Sequence, residues 1–571
     1  MRIATAKLTA TLCGLALAAC SGFPSSTDTA AAPDTIFFNG KIVTVDEKFS
    51  IAEAVAIRDG RFVAVGGNDR IRRLAQGSTR SIDLRGRTVL PGLMDGHLHN
   101  AGGGPGVDLS RVRSMDELLA AVSARVKSSK PGELVVSNND WHEAQLKEKR
   151  LPHLRDLDRV APNNPVVLVR GGHEFILNSA GMQRWKITRA TKSPDGGEIG
   201  HDADGSLNGE LIDNARRLVT LPPAPRLTPE AVLAQIRILN ASGITSIRIP
   251  GSFIFGSDPI ETWNMLRELK AKNQLSLRVN YLLRILDYSS VERVRETLAK
   301  WAIKPDEGDE WLRIGGMKTG VDGGFEGGHM HDAYEEPHGK GGKFKGIRTV
   351  PQDRYTAVVR ELNRQGWRVA SHAVGDAAVD QVLEAYAAAD RDQSIRGKRW
   401  SIEHFFVARP EQFPRARALD LVISAQNHLY LAGPSLVKYW GRTRAQQVTP
   451  VRTFLDQGFI VAGGTDSPVI PYSPFWAMYH FISRETISDG VYGANQRVSR
   501  EEALRMFTIN NAKLTFEENI KGSIEPGKLA DLVIVSGDFL TVPEKQIENL
   551  KALGTMVGGR FVYSDPALAL N

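Results

Sequence analysis

The stretch Pro91-Gly-Leu-Met-Asp-Gly-His97-Leu-His99 sets two imidazoles two residues apart, after an apolar run. At the end of a strand, residues i and i+2 point to the same face, so both rings can reach one divalent ion. Taken alone, His-x-His recurs by chance. Here four later apolar runs also end in a ligand type. Lys318 closes Ile314-Gly-Gly-Met-Lys, His372 closes Arg368-Val-Ala-Ser-His, His404 closes Ser401-Ile-Glu-His, and Asp466 ends Val461-Ala-Gly-Gly-Thr-Asp. A set of imidazoles, one amine and one carboxylate at successive strand ends offers coordination of a divalent metal.

These residues need a scaffold that brings distant strand ends to one rim. Between the ends of the chain, β-rich apolar runs alternate with amphipathic helical patterns, the mark of βαβ units and a parallel sheet. Candidate strands are 88–94, 244–249, 277–282, 312–318, 368–371, 400–403, 421–425 and 459–463. Eight such units predict an α/β fold, a (β/α)8 barrel spanning 88–515, whose active sites lie at the C-terminal ends of the strands. Thr228-Pro229-Glu230 reads as a cap with Pro at the first helical position, and Ser499 to Glu502 as a capping box. Gly243 and Gly366 stand where helices should stop. Residues of about 133–221 break the rhythm and read as an insertion after the first strand, standing over the barrel mouth. Short Gly-punctuated runs within 35–87 and 516–571 predict one small β-sandwich assembled from both termini.

Other polar residues carry weaker expectations. His173 and Asn178 in the insertion, His428 after the seventh strand, and Trp141 with its neighbour His142 are candidates for the substrate wall. His329 and His331 form a second His-x-His, but in a Gly-rich loop with no strand before it, and read as loop residues. Asp322 and Asp376 each follow a ligand candidate by four residues and are candidate supporting partners. No Gly-rich phosphate loop and no Ser or Cys nucleophile elbow is present.

These motifs, with the closing Gly522-Ser-Ile-Glu-Pro-Gly-Lys-Leu-Ala-Asp-Leu, resemble the amidohydrolase superfamily and in particular its YtcJ-like (amidohydrolase-3) branch. Gly172-His173-Glu-Phe-Ile-Leu-Asn178, Gly196-Gly-Glu-Ile-Gly-His-Asp and Lys318-Thr-Gly-Val-Asp-Gly323 resemble the same branch, and the likeness runs from about Thr35 to the C-terminus. The resemblance implies that His97, His99 and Asp466 hold one metal and that His372 and His404 hold a second where one is present. It implies that Lys318 can be carboxylated by CO2 into a bridging carbamate. The alternative for Lys318 is a structural cation beside a single metal. Zn2+ is the ion favoured by the resemblance, with Mn2+, Fe2+ or Ni2+ as alternatives. Such a metal lowers the pKa of its water to about 7 and polarises a carbonyl. Asp466 is then the catalytic acid–base that passes the proton to a leaving amine. The implied activity is hydrolysis of a C–N bond (amide, formamide or cyclic amide) in a small molecule. Ester or lactone hydrolysis, isomerisation or decarboxylation are the rivals on the same site. A non-catalytic ligand-binding lipoprotein is a more distant one.

The first residues belong to export rather than fold. Arg2 and Lys7, an apolar run over 8–19, and Leu17-Ala-Ala-Cys20 have the form of a signal peptide (1–19), and the last four residues resemble the lipobox of bacterial lipoproteins. Cys20 is then lipidated, residues 20–34 form a flexible tether, and Ser21 points to the outer membrane facing the periplasm. Cys13 and Cys20 are the two cysteines of the chain, so the folded body has no thiol with which to bind metal. The formal charge of +7 is spread along the chain without a basic tract, which speaks against nucleic acid as a partner. The membrane, through the lipid, and a small-molecule substrate are the partners expected; a homo-oligomer is left open.

Overall fold

A computed structural model describes residues 31–222, 227–252, 258–285, 287, 289–469 and 472–568. The expected signal segment and Cys20 lie outside the described residues. Among the described residues, no helix is long and apolar enough to cross a membrane.

Eight parallel strands form the central sheet. They are β1 (Leu93–Asp95), β2 (Ile244–Pro250), β3 (Arg278–Arg284), β4 (Leu312–Gly320), β5 (Val369–Ala373), β6 (Ser401–His404), β7 (Val422–Gln426) and β8 (Val461–Gly464). Each pairs with its sequence neighbour, and Gly96 N donates to Gly463 O at 2.9 Å to bring the two edges together. The result is the expected α/β barrel. β2, β6 and β7 are buried along their whole length, because helices cover the outside while side chains fill the inside; such strands read as unbroken apolar runs. Thr228 accepts from Ala231 N at 3.2 Å to start the helix Pro229–Ala241. Ser499 and Glu502 form the capping box of Arg500–Met506. Gly243 and Gly366 adopt φ of 88° and 83° just past their helices.

The expected first strand, 88–94, is two strands. Thr88–Pro91 pairs with Lys41–Val43 and with Leu532–Val535 in a six-stranded sheet. Only after Gly92 does the chain enter the barrel as β1. A Cβ on Gly92 would stand 2.2 Å from Thr245 Oγ1, so glycine lets the crossing lie against β2. Both halves are buried, so no polar residue marks the boundary. The six-stranded sheet packs on a four-stranded one (Arg61–Gly66, Ala54–Arg58, Thr35–Phe38, Arg80–Asp83) across Phe37, Val55, Phe62, Val89, Leu532 and Met556. This is the sandwich from both termini. Arg278 at the start of β3 ties it to the barrel with a buried two-bond pair to Asp531, 2.7 and 3.0 Å.

Between β1 and β2 an inserted five-stranded sheet runs Gly197–His201, Leu207–Asp213, Glu174–Leu177, Val166–Arg170, Val135–Val136. Its core takes in Leu118 and Val122 of the helix Met115–Lys127. The packing unit therefore begins well before residue 133.

Candidate metal centre and cavity

The ends of β1 and β8 build the first half of the site. After β1 the chain turns over Asp95, which accepts from His97 N (3.0 Å), Thr465 N (3.1 Å) and Thr465 Oγ1 (2.7 Å). Burial pushes the Asp95 carboxyl up to about 7. Asp466 N donates to His97 O at 2.7 Å, which registers the two strand ends. The Asp466 carboxylate faces His97 Nε2 at 3.4 Å, His99 Nε2 at 3.5 Å and, through its other oxygen, His428 Nε2 at 3.1 Å. Burial opposes its ionisation, yet the three imidazoles hold it well below the usual carboxylate range.

β6 supplies the second half. Glu403, fully buried, lies 2.6 Å from His97 Nδ1 and takes 2.9 Å and 2.5 Å bonds from Arg248 Nη1 and Ser401 Oγ. With Nδ1–H given to a carboxylate, the lone pair of His97 Nε2 is directed at Asp466, the tautomer a metal ligand requires. Despite burial, Arg248 and His97 hold the Glu403 carboxyl far below its ordinary value. His404 follows with φ of 78°. That left-handed backbone ends the strand's alternation, so Glu403 and His404 both reach the His97 ring. His404 Nδ1 lies 2.7 Å from Gln426 Oε1, which leaves its Nε2 available.

His97, His99 and Asp466 each offer a ligand atom within 4.8 Å of one another, and so do His404, His428 and Asp466. His372 belongs to neither group. Its ring is 4.5 Å from that of His404, and its Nε2 lies 3.1 Å from Gly323 O. Lys318 Nζ stands 3.4 Å from His97 Nε2, and burial lowers its pKa to about 8. The donor chemistry fits a divalent cation. Burial holds His99 down to about 3 and His372 and His404 well below 6.5, so these imidazoles are neutral bases around an ionised carboxylate. A dry cluster of lone pairs facing one negative charge is stabilised by a cation.

A cavity of about 710 Å³ opens from this cluster and is lined on one side by residues of the insertion. His173 lines it, held by Asp213 at 2.7 Å and stacked on His372 at 5.4 Å. His428 and His142 line it as well. Trp141 and Asn178, the other two expected wall residues, do not. Trp141 is buried in the core of the insertion with its Nε1 donating to Val169 O at 2.7 Å. Asn178 caps the helix Ser179–Arg184 and ties three backbone groups of the insertion together. Their polar atoms satisfy backbone partners, which is why these motif positions serve the frame of the insertion. Asp322 accepts from the backbone of Val374, Gly375 and His329 and lies 3.6 Å from His372 Nε2, a supporting role. Asp376 binds Arg409 instead, and His331 pairs with Asp380. Sequence reasoning missed Glu403, Arg248 and Asp95. Glu403 stood in plain view beside His404, but only the partner across the barrel shows what it does.

An α/β barrel with a buried imidazole–carboxylate cluster at the C-terminal mouth has the arrangement of a metal-dependent enzyme. The profile of the amidohydrolase family matches residues 80–563, and the chain belongs to that family. It is similar to YtcJ of Bacillus subtilis (strain 168), an amidohydrolase by name, with 26% identity over 542 residues, 92% of this chain and 99% of that one. It is 29% identical over 546 residues to the N-substituted formamide deformylase of Arthrobacter pascens, covering 93% of this chain and 98% of the relative. Among solved structures, a metal-dependent hydrolase of Pyrococcus furiosus matches with a TM-score of 0.62 and 26% identity, over 89% of this chain and 100% of that one.

Proposed function

We propose that this protein hydrolyses the C–N bond of a small amide, formamide or cyclic amide, using Zn2+ held by His97, His99 and Asp466. His404, with His428 or His372, would hold a second ion. The observation that carries the reading is the meeting of Asp466 with His97, His99 and His428 within 3.5 Å at the floor of the cavity. The C–N bond is supported by the deformylase relative. When bound, a divalent cation supplies a Lewis acid that polarises the carbonyl and makes water acidic. The Asp466 carboxylate accepts the proton of the attacking water and delivers it to the departing nitrogen, while His428 Nε2 fixes its orientation. Glu403 holds His97 in register. Lys318, enclosed 3.4 Å from His97 Nε2, is placed for carboxylation, which replaces a cation beside the metal with an anion. The lipobox-like Cys20 supports attachment to the outer membrane facing the periplasm.

Metal analysis, exhaustive chelation with Zn2+ re-addition, and a panel of matched amides, formamides and esters test the reading. Chelation should abolish turnover and Zn2+ should restore it. Asp466→Asn should lower kcat by about 10²–10⁴-fold. Full activity in chelator, or wild-type turnover in Asp466→Asn, defeats the assignment; esters cleaved far faster than their matched amides move it to ester hydrolysis.

A further inference from the structure

Away from the histidine cluster the cavity wall becomes cationic. Arg284, Arg216, Arg217 and Arg354 line it from three separate elements. Arg284 closes β3, where its backbone pairs in register with Lys318 of β4. Its stem passes 3.0–3.2 Å from where a Cβ on Gly251 would stand, so the glycine at the end of β2 leaves the channel this side chain occupies. Arg216 sits in the short helical turn Asn214–Leu218 of the insertion. It is half-buried, with its guanidinium 5.3 Å from the centre of the Phe175 ring and its Nε donating to Asp213 O at 3.2 Å. Arg217 follows it, and Arg354 lies in the first turn of the helix Gln352–Arg364.

Three enclosed arginines that support the fold are matched to acids, Arg170 to Glu143 and Glu326, Arg248 to Glu403, and Arg278 to Asp531, while the buried Arg484 donates to the backbone carbonyls of Tyr492, Thr449 and Val448. Of the four wall arginines Arg216 is half-buried and Arg284, Arg217 and Arg354 are exposed, and among the described residues none has a carboxylate within salt-bridge distance. The acids nearby bond other groups through at least one oxygen, though Asp213 Oδ2 keeps no hydrogen-bond partner. Asp213 is bonded to His173, Glu326 to Arg170, Asp322 to backbone amides, and Asp287 to Ser289 N. Burial disfavours the charge of Arg216; Asp213 and Glu326 support it, while Arg284 and Arg217 oppose it, so several like charges are gathered on this wall. Guanidinium groups gathered on one wall of a cleft attract anions, and their planar forks match a carboxylate.

We propose that this wall binds a carboxylate of the substrate, so that the enzyme acts on N-acyl compounds bearing an acid group. The acid is held by Arg284 and Arg216 while the amide reaches the floor of the cavity. This rests on the hydrolase reading of the floor; Arg284 adjoins Lys318 in the sheet, but none of the arginines is itself a metal-ligand candidate.

The test is calorimetric titration of the full-length protein, in chelator, with N-acetylleucine and with its neutral analogue N-acetylleucinamide. The acid should bind about tenfold or more tighter than the amide, the range of a charge-assisted hydrogen bond, and the gap should shrink with added salt. In Arg284→Gln and Arg216→Gln, both checked by thermal melting, the preference should fall to within about twofold, as expected when that bond is lost. Equal binding of acid and amide to the unsubstituted protein overturns the proposal. So does a preference that survives both substitutions, or displacement of the acid by inorganic phosphate but not by acetate. Because no metal and no turnover enter this titration, a failure here leaves the hydrolase reading standing, and a chelator-insensitive activity would leave this one.

Discussion

Glu403 shows what a single side chain does in this centre. It is the shared acceptor of His97 Nδ1, Arg248 and Ser401, with no exposure to solvent. Its charge is compensated by Arg248, and its bond to His97 selects the tautomer that presents Nε2 to Asp466. Glu403→Ala would strand the Arg248 cation in the barrel interior, so denaturant unfolding should show a loss of roughly 3–5 kcal/mol. Zinc titration of the same variant should show an affinity lower by about 10–100-fold. Unchanged zinc affinity would mean that His97 is oriented by something else. Strand alternation alone sends Glu403 and His404 to opposite faces; the positive φ at His404 is what unites them, and backbone geometry of that kind is not written in residue type.

At the level of elements, the centre depends on β1 and β8 lying close enough for Asp466 to meet the His97/His99 pair. Gly464 makes this approach possible. A Cβ there would lie 2.7 Å from His97 N and 3.0 Å from Asp95 Oδ1, contacts no side chain tolerates. Both neighbours are parts of the turn that carries His97 and His99, so neither can yield without moving them. Gly464→Ala should therefore cost about 1–3 kcal/mol of stability by overpacking. Its bound divalent metal, measured by metal analysis, should fall as well; a variant with full stability and metal content would contradict the close approach. The ligand-bearing strands were legible because each is an apolar run ended by a polar residue. The split at Gly92 was not, because the sandwich strand and β1 are equally apolar and the division depends on which sheet each half joins.

On the scale of the whole molecule, the insertion is fastened over the barrel mouth by one buried cation. Arg170 holds Glu143 by two bonds of 2.8 Å, reaches Glu326 of the loop after β4 at 2.8 Å, and contacts His142 at 2.7 Å. Glu143 in turn accepts from Ser435 in the helix after β7. A third acid, Glu174, lies 3.4 Å from Arg170, and burial pushes its carboxyl well above the normal range. Arg170→Met would leave these carboxylates facing one another without a cation. Stability should drop by roughly 3–5 kcal/mol, and limited proteolysis should cut first within the insertion. Cleavage starting in the sandwich instead would show that Arg170 does not join the two parts.

Residue order alone carried the barrel, the sandwich from two ends and the candidate residues at the strand ends, because burial on both faces of a parallel strand demands apolar runs and because polar residues stand where those runs stop. It did not carry the grouping of the ligands. His428 rather than His372 stands with His404 beside Asp466, Asn178 and Trp141 turn into the frame, and Arg216, Arg284 and Arg354 converge on one wall. Each of these facts joins groups tens to hundreds of residues apart. Such meetings are set by strand register, by the path of the insertion and by a few left-handed backbone turns, none of which a local pattern of residue types contains.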